Sequence, residues 1–177
     1  QPIWTGQSSK YRARRQALWK ARAAASNHGL PKAAYSTEFL KVNLRSVRSD
    51  RDLGRVEVTL SKLFLDYARD IQSGVLNPPR VDEDIAQKVP LRDRLSLLVN
   101  FSKSSPVAYL RRLPPSNPEY IRLMKQKLIM ERLVARGGWG ASVPGRKLKI
   151  GDSGTKIVAL RNRLFAMGFM RRNASRT

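Results

Sequence analysis

The chain has 177 residues, 41% of them hydrophobic, a net charge of +22 and no cysteine. That excludes disulfides, Cys-ligated zinc and a thiol nucleophile within these residues, and the apolar content is too high for wholesale disorder. No stretch approaches the roughly 18 uninterrupted apolar residues of a membrane span.

The positive charge is uneven. Residues 1–48 carry 10 basic and 1 acidic side chains, residues 49–90 carry 6 and 8, residues 91–135 carry 9 and 3, and residues 136–177 carry 10 and 1. Both ends are basic and the middle is nearly neutral. Such a field favours an anionic partner, whether nucleic acid, membrane surface or acidic wall polymer, without choosing among them.

In chain order the periodicity is helical. Ser9 to Asn27 reads as an Ala-rich helix, with Tyr11, Leu18, Trp19 and Arg22 among its residues and Gly29 as its C-terminal glycine. A second helix is predicted over Thr37 to Arg48, and "RSDRDLG" (Arg48–Gly54) as a turn. Thr59 is the predicted cap of a helix that buries Leu60, Leu63, Phe64, Tyr67, Ala68 and Ile71 and closes at Gly74. Leu76–Asp84 is a Pro-bearing loop whose acids suit the first turn of a following short helix. Two short helices follow at Arg92–Ser102 and Pro106–Leu113.

The clearest element begins at Asn117 as N-cap with Pro118 at the first helical position. Tyr120, Leu123, Met124, Leu128 and Leu133 line one face, and Gly137 and Gly138 end it. A last amphipathic helix follows Gly154, with Ile157, Leu160, Leu164 and Met167 as its stripe and Gly168 as its stop. No strand is expected. The fold class is all-α: an irregular multi-helix domain over 1–136, a linker over 137–147, and one helix in 148–177.

Several constellations resolve into bland readings. "GDSG" (Gly151–Gly154) matches the surroundings of a protease serine, yet it leads into a helix and not a strand-built barrel. Asp152 or Ser153 is better read as that helix's cap. "GASVPGRK" (Gly140–Lys147) lacks the Lys-Ser/Thr pair of a phosphate loop. Asp66 with Asp70 and the run Asp82–Asp84 match no calcium loop. His28, the only histidine, reads as a capping or core residue. No metal and no cofactor are expected.

The stretch "LKIGDSGTKIVALRNRLFAMGF" (Leu148–Phe169) resembles the first helix of the peptidoglycan-binding domain of many wall enzymes. The resemblance rests on Leu148, Gly151, Asp152, Gly154, Ile157, Leu160, Leu164 and Gly168. "HGLPKAAY" (His28–Tyr35), "LDYARDIQSGVLNP" (Leu65–Pro78) and "LPPSNPEYIRLMKQKL" (Leu113–Leu128) resemble the scaffold domain of the large periplasmic murein L,D-transpeptidases. "GGWGASVPGRKLKIGDSG" (Gly137–Gly154) resembles their passage into the wall-binding module, with Gly140 where a proline is more usual. The basic N-terminal helix is less typical of them.

That resemblance implies an acyltransferase whose cysteine, activated by a histidine in a motif ending Ser-His-Gly-Cys-x-Arg, attacks one stem peptide and passes the acyl group to an acceptor amine. The present residues contain neither motif nor cysteine, so the chemistry is not theirs. With Gln at position 1, the expectation is a piece of a longer protein. It would be the non-catalytic scaffold and the start of an incomplete wall-binding domain, with a catalytic domain to follow and peptidoglycan as partner, in the periplasm of a Gram-negative bacterium. The candidate wall contacts are Trp139, Lys147, Lys149, Arg161 and Arg163, an aromatic platform among cations. Two rivals stand beside this reading: a stand-alone basic envelope-binding protein, and a cytosolic nucleic-acid binder using the basic ends with Tyr11, Trp19 and Trp139.

Overall fold

Seven α-helices and two 3₁₀ turns, with no strand, make up the described residues of the computed structural model, which are 1–36, 47–85, 91–145 and 147–171. The chain is all-α there. It divides into two units, Gln1–Met124 and Lys125–Thr177.

Helix α1 (Ser9–Ala23) buries Ala17, Leu18 and Arg22. It ends four residues short of the predicted Asn27, because the chain tightens into a 3₁₀ turn over Ala25–His28. Gly29 N–H then donates to Ser26 O (3.1 Å) and Leu30 N–H to Ala25 O (3.3 Å). This closing motif needs a left-handed residue, which Gly29 supplies at φ 82°. A second 3₁₀ turn covers Lys32–Tyr35. The predicted helix Thr37–Arg48 lies mostly outside the described residues; Val47 and Arg48 are not helical.

Helix α2 (Asp50–Ser73) is the longest element, about 36 Å at 1.5 Å per residue. The predicted turn over Arg48–Gly54 is corrected: Ser49 is the true N-cap, and the helix runs through Gly54. Asp52 N–H donates to Ser49 Oγ (3.2 Å) while Asp52 Oδ2 accepts from Ser49 N–H (3.1 Å), a reciprocal capping box. Thr59 is mid-helix and caps nothing; its hydroxyl donates to Arg55 O four residues back (2.8 Å). Val56, Leu60, Phe64, Tyr67, Ala68 and Ile71 form the buried stripe.

One helical turn, α3 (Pro78–Val81), follows. The acids Asp82–Asp84 do not open a helix there: Asp84 N–H donates to Asp82 Oδ1 (3.0 Å) in a side-chain-closed turn. Helix α4 (Arg94–Lys103) is capped by Asp93, whose Oδ2 accepts from Ser96 N–H (2.7 Å). Helix α5 (Pro106–Arg111) packs against α4 and α1, and α2 packs against α4. Helix α6 (Pro118–Ala135) starts at the predicted proline, but none of its residues is buried and Leu123 is 71% exposed. Helix α7 (Thr155–Ala166) follows a loop.

The core of Gln1–Met124 centres on a residue that periodicity does not mark. Trp4 is fully buried, with ring centroids 5.0 Å from Phe101 and 5.7 Å from Phe64. Phe64 and Phe101 are themselves 4.7 Å apart, and Tyr109 closes the cluster edge-on to Phe101 at 5.6 Å. Trp4 Nε1 donates to Ser61 Oγ (3.0 Å). The arm that delivers it is held by one carboxylate: Glu57 accepts from the backbone N–H groups of Ile3, Trp4 and Thr5 and from the Thr5 hydroxyl. Arg14 and Arg15 of α1 donate to the carbonyls of Ile3 and Trp4. Gly6 lets the arm pass the Tyr11 ring, since a Cβ there would stand 2.4 Å from Tyr11 Cε2.

Candidate functional site

The five candidate wall contacts all lie in Lys125–Thr177, which carries 13 basic and 2 acidic residues against 22 and 11 in Gln1–Met124. Both of its acids have local partners. Glu131 pairs with Lys127 (2.7 Å) on the surface of α6. Asp152 accepts from Lys149 N–H (2.8 Å) and donates its own N–H to Lys149 O (3.1 Å), closing a tight turn ahead of α7.

That turn corrects the reading of Gly151–Gly154. Neither Asp152 nor Ser153 caps α7; its N-cap is Gly154, which has no side chain to offer. The helix instead closes well at its far end, where Gly168 N–H donates to Phe165 O (3.0 Å) and Phe169 N–H to Leu164 O (2.9 Å). The same pair of bonds ends α6, from Gly137 to Val134 O (3.0 Å) and from Gly138 to Leu133 O (2.9 Å).

Trp139 follows that turn and is 39% exposed. Lys147 and Lys149 are exposed on the loop, and Arg161 and Arg163 are half-buried on α7. Arg163 is engaged within the unit: its Nη1 donates to Ala141 O (3.2 Å) and Gly140 O (3.4 Å), bracing the loop beside Trp139. Two residues apart on a helix, Arg161 and Arg163 project about 200° apart and do not share a face. The arrangement is therefore a cationic loop with one exposed indole, braced by Arg163, and not a flat basic sheet. The near-miss phosphate loop contains Arg146, which lies outside the described residues.

Apolar side chains accompany these cations. Ile157, Leu160, Leu164 and Met167 are half-buried along the predicted stripe of α7, while Ile150 and Phe169 stand exposed. Among the described residues of 125–171 none is buried, as expected of so short a segment on its own.

Asp70 and His28 of Gln1–Met124 are engaged in contacts within the helical unit. Asp70 Oδ2 accepts from the Tyr35 hydroxyl (2.6 Å), and burial together with that bond pushes the Tyr35 phenol well up. Arg22, 4% exposed, lies 5.1 Å from the Tyr35 ring and donates to Ala34 O (3.1 Å) and Leu63 O (3.3 Å). His28 Nδ1 is 2.6 Å from the Tyr120 hydroxyl, with the two rings nearly parallel. Among the described residues no group of three or more His, Asp or Glu gathers to hold a metal ion, and no helix is long and apolar enough to cross a membrane.

The helical unit, with its aromatic centre and its cationic continuation, is the setting in which similarity to known proteins is informative. Residues 1–126 match the scaffold-domain family, and the chain belongs to that family. No curated protein and no solved structure matches it.

Proposed function

We propose that this chain is the non-catalytic scaffold and wall-contacting portion of a murein L,D-transpeptidase, working on peptidoglycan in the periplasm of a Gram-negative bacterium. Its scaffold-domain membership over residues 1–126 carries this reading. The support is that the cationic Lys125–Thr177 unit follows, holding the stretch that resembles a peptidoglycan-binding helix. Acyl transfer in that family needs a thiolate, which these residues lack. The role assigned here is to hold geometry and to meet an anionic polymer through Trp139, Lys147, Lys149, Arg161 and Arg163.

Co-sedimentation with purified sacculi tests the wall contact. The chain should pellet with sacculi at moderate salt, and Trp139→Ala combined with Lys147→Gln and Lys149→Gln should reduce the bound fraction several-fold. Arg163→Gln should act through loosening of its loop, visible as changed amide shifts at Gly140 and Ala141. Tighter retention by duplex or single-stranded nucleic acid than by sacculi, with affinity falling steeply in salt, would select the nucleic-acid rival instead. The transpeptidase assignment is tested separately by muropeptide mass spectrometry after deletion of the coding region. Loss of cross-links made through the third stem residue is expected, and unchanged cross-linking leaves only an envelope-binding role.

A further inference from the structure

Within Gln1–Met124, α1, α2 and α5 leave a groove of about 310 Å³. One side is built by Ala17, Ala21 and Ala24. These fall at i, i+4 and i+7 on one face, so three methyl groups stand where longer side chains would fill the space. Val107, Leu110 and Pro114 form the opposite wall. Lys20 and Arg111, both exposed, reach the lining from α1 and α5, and no acid lines the groove among the described residues.

Tyr67 supplies the second observation. It is only 2% exposed, lines the groove, and its hydroxyl has no hydrogen-bond partner among the described residues. Burial pushes its phenol up to about 12, so it stays a neutral donor at physiological pH. An apolar slot with one unused donor and two cations complements a ligand with an apolar chain and one anionic head. The volume is at the lower end of the roughly 300–1,000 Å³ typical of ligand pockets, which suits a single short chain and not a two-chain lipid.

We propose that this groove binds a medium-chain acyl carboxylate, its chain along Ala17, Ala21 and Ala24 and its head between Lys20 and Arg111, with Tyr67 as hydroxyl donor. This site is independent of the wall-contact reading, because its residues all precede Lys125.

The test is titration of the full chain with decanoate, decanol and acetate below micelle formation, followed by amide chemical shifts. Decanoate should saturate with shifts confined to the groove, at least tenfold tighter than decanol or acetate. Arg111→Gln, an exposed change that spares the core, should weaken decanoate about five- to tenfold while decanol is unchanged. Tyr67→Phe should weaken it several-fold. Ala21→Leu should remove saturable binding while the helical circular dichroism persists; if Ala21→Leu unfolds the chain, the Arg111→Gln comparison decides alone. Equal affinity for decanoate and decanol, scattered shifts, or an unchanged Arg111→Gln titration would overturn the proposal.

Discussion

Replacing Trp4 by alanine should remove the centre of the core. A buried tryptophan takes about 150–250 Å² from water, which at about 25 cal/mol per Å² corresponds to about 4–6 kcal/mol. Residual compactness of the unfolded chain trims this figure, and large-aromatic-to-alanine changes in cores cost about 3–5 kcal/mol. Trp4 is fully buried and touches both Phe64 and Phe101, so the full range applies. Against a domain stability of about 5–15 kcal/mol the loss is large. Urea unfolding followed by circular dichroism should show a midpoint shift of that size. Trp4→Phe keeps an aromatic ring but loses the bond to Ser61 Oγ, and should cost about 1–2 kcal/mol. Because Glu57 and Trp4 fasten the same arm, Trp4→Ala and Glu57→Gln should not add: the double mutant should fall short of the sum by about 1 kcal/mol or more. A Trp4→Ala cost below about 1 kcal/mol, or strict additivity, would show that the arm is not part of the core.

Gly54 sits inside α2 with open space where a Cβ would go, so Gly54→Ala should stabilise by about 0.5–1 kcal/mol and raise Tm by a few degrees in calorimetry. Asp52 and Asp93 titrate below the ordinary carboxylate value of 3.8, chiefly through their bonds to Ser49 and to Ser96 N–H. A depressed carboxylate stabilises above its unfolded value and loses that contribution as pH falls through its folded value. The amides at the starts of α2 and α4 should therefore lose exchange protection only below pH 3.8, and Asp52→Asn should make the α2 start insensitive to acid there. Tyr120→Phe removes the hydroxyl next to His28 and should cost about 1 kcal/mol by urea unfolding, with a shift of the His28 ring resonances.

Helices that carry a regular stripe were legible in the sequence, and those fixed by distant partners were not. The buried face of α2 shows in its 3.6-residue spacing, yet the helix begins ten residues before the start that Thr59 marks in the sequence. The stretch Arg48–Gly54 reads as a turn, while the Ser49-x-x-Asp52 signature that nucleates the helix lies inside it. Thr59 looked like a cap because a threonine before an apolar run usually is one. Within a helix already begun, its hydroxyl satisfies itself on Arg55 O. Trp4 offered no signal at all. It stands in an aperiodic segment, and its burial depends on Glu57 and Phe101, more than 50 residues away.

The candidate sites divide along the same line. Cationic character is a sum over residues, so the basic loop around Trp139 could be read directly. The use of each cation is pairwise geometry: Arg163 is turned inward onto Gly140 and Ala141 while Arg161, two residues away, faces elsewhere. The groove was hidden for a stronger reason. Alanines at 17, 21 and 24 score in sequence as helix propensity and as a weak apolar face. In the fold they matter for the volume they leave empty against Val107 and Leu110. Space becomes a property of the chain only once a second helix stands opposite, and α5 lies more than 80 residues downstream of α1. Filling that space from the α1 side should change ligand binding far more than it changes helix content, which separates a site from a packing defect.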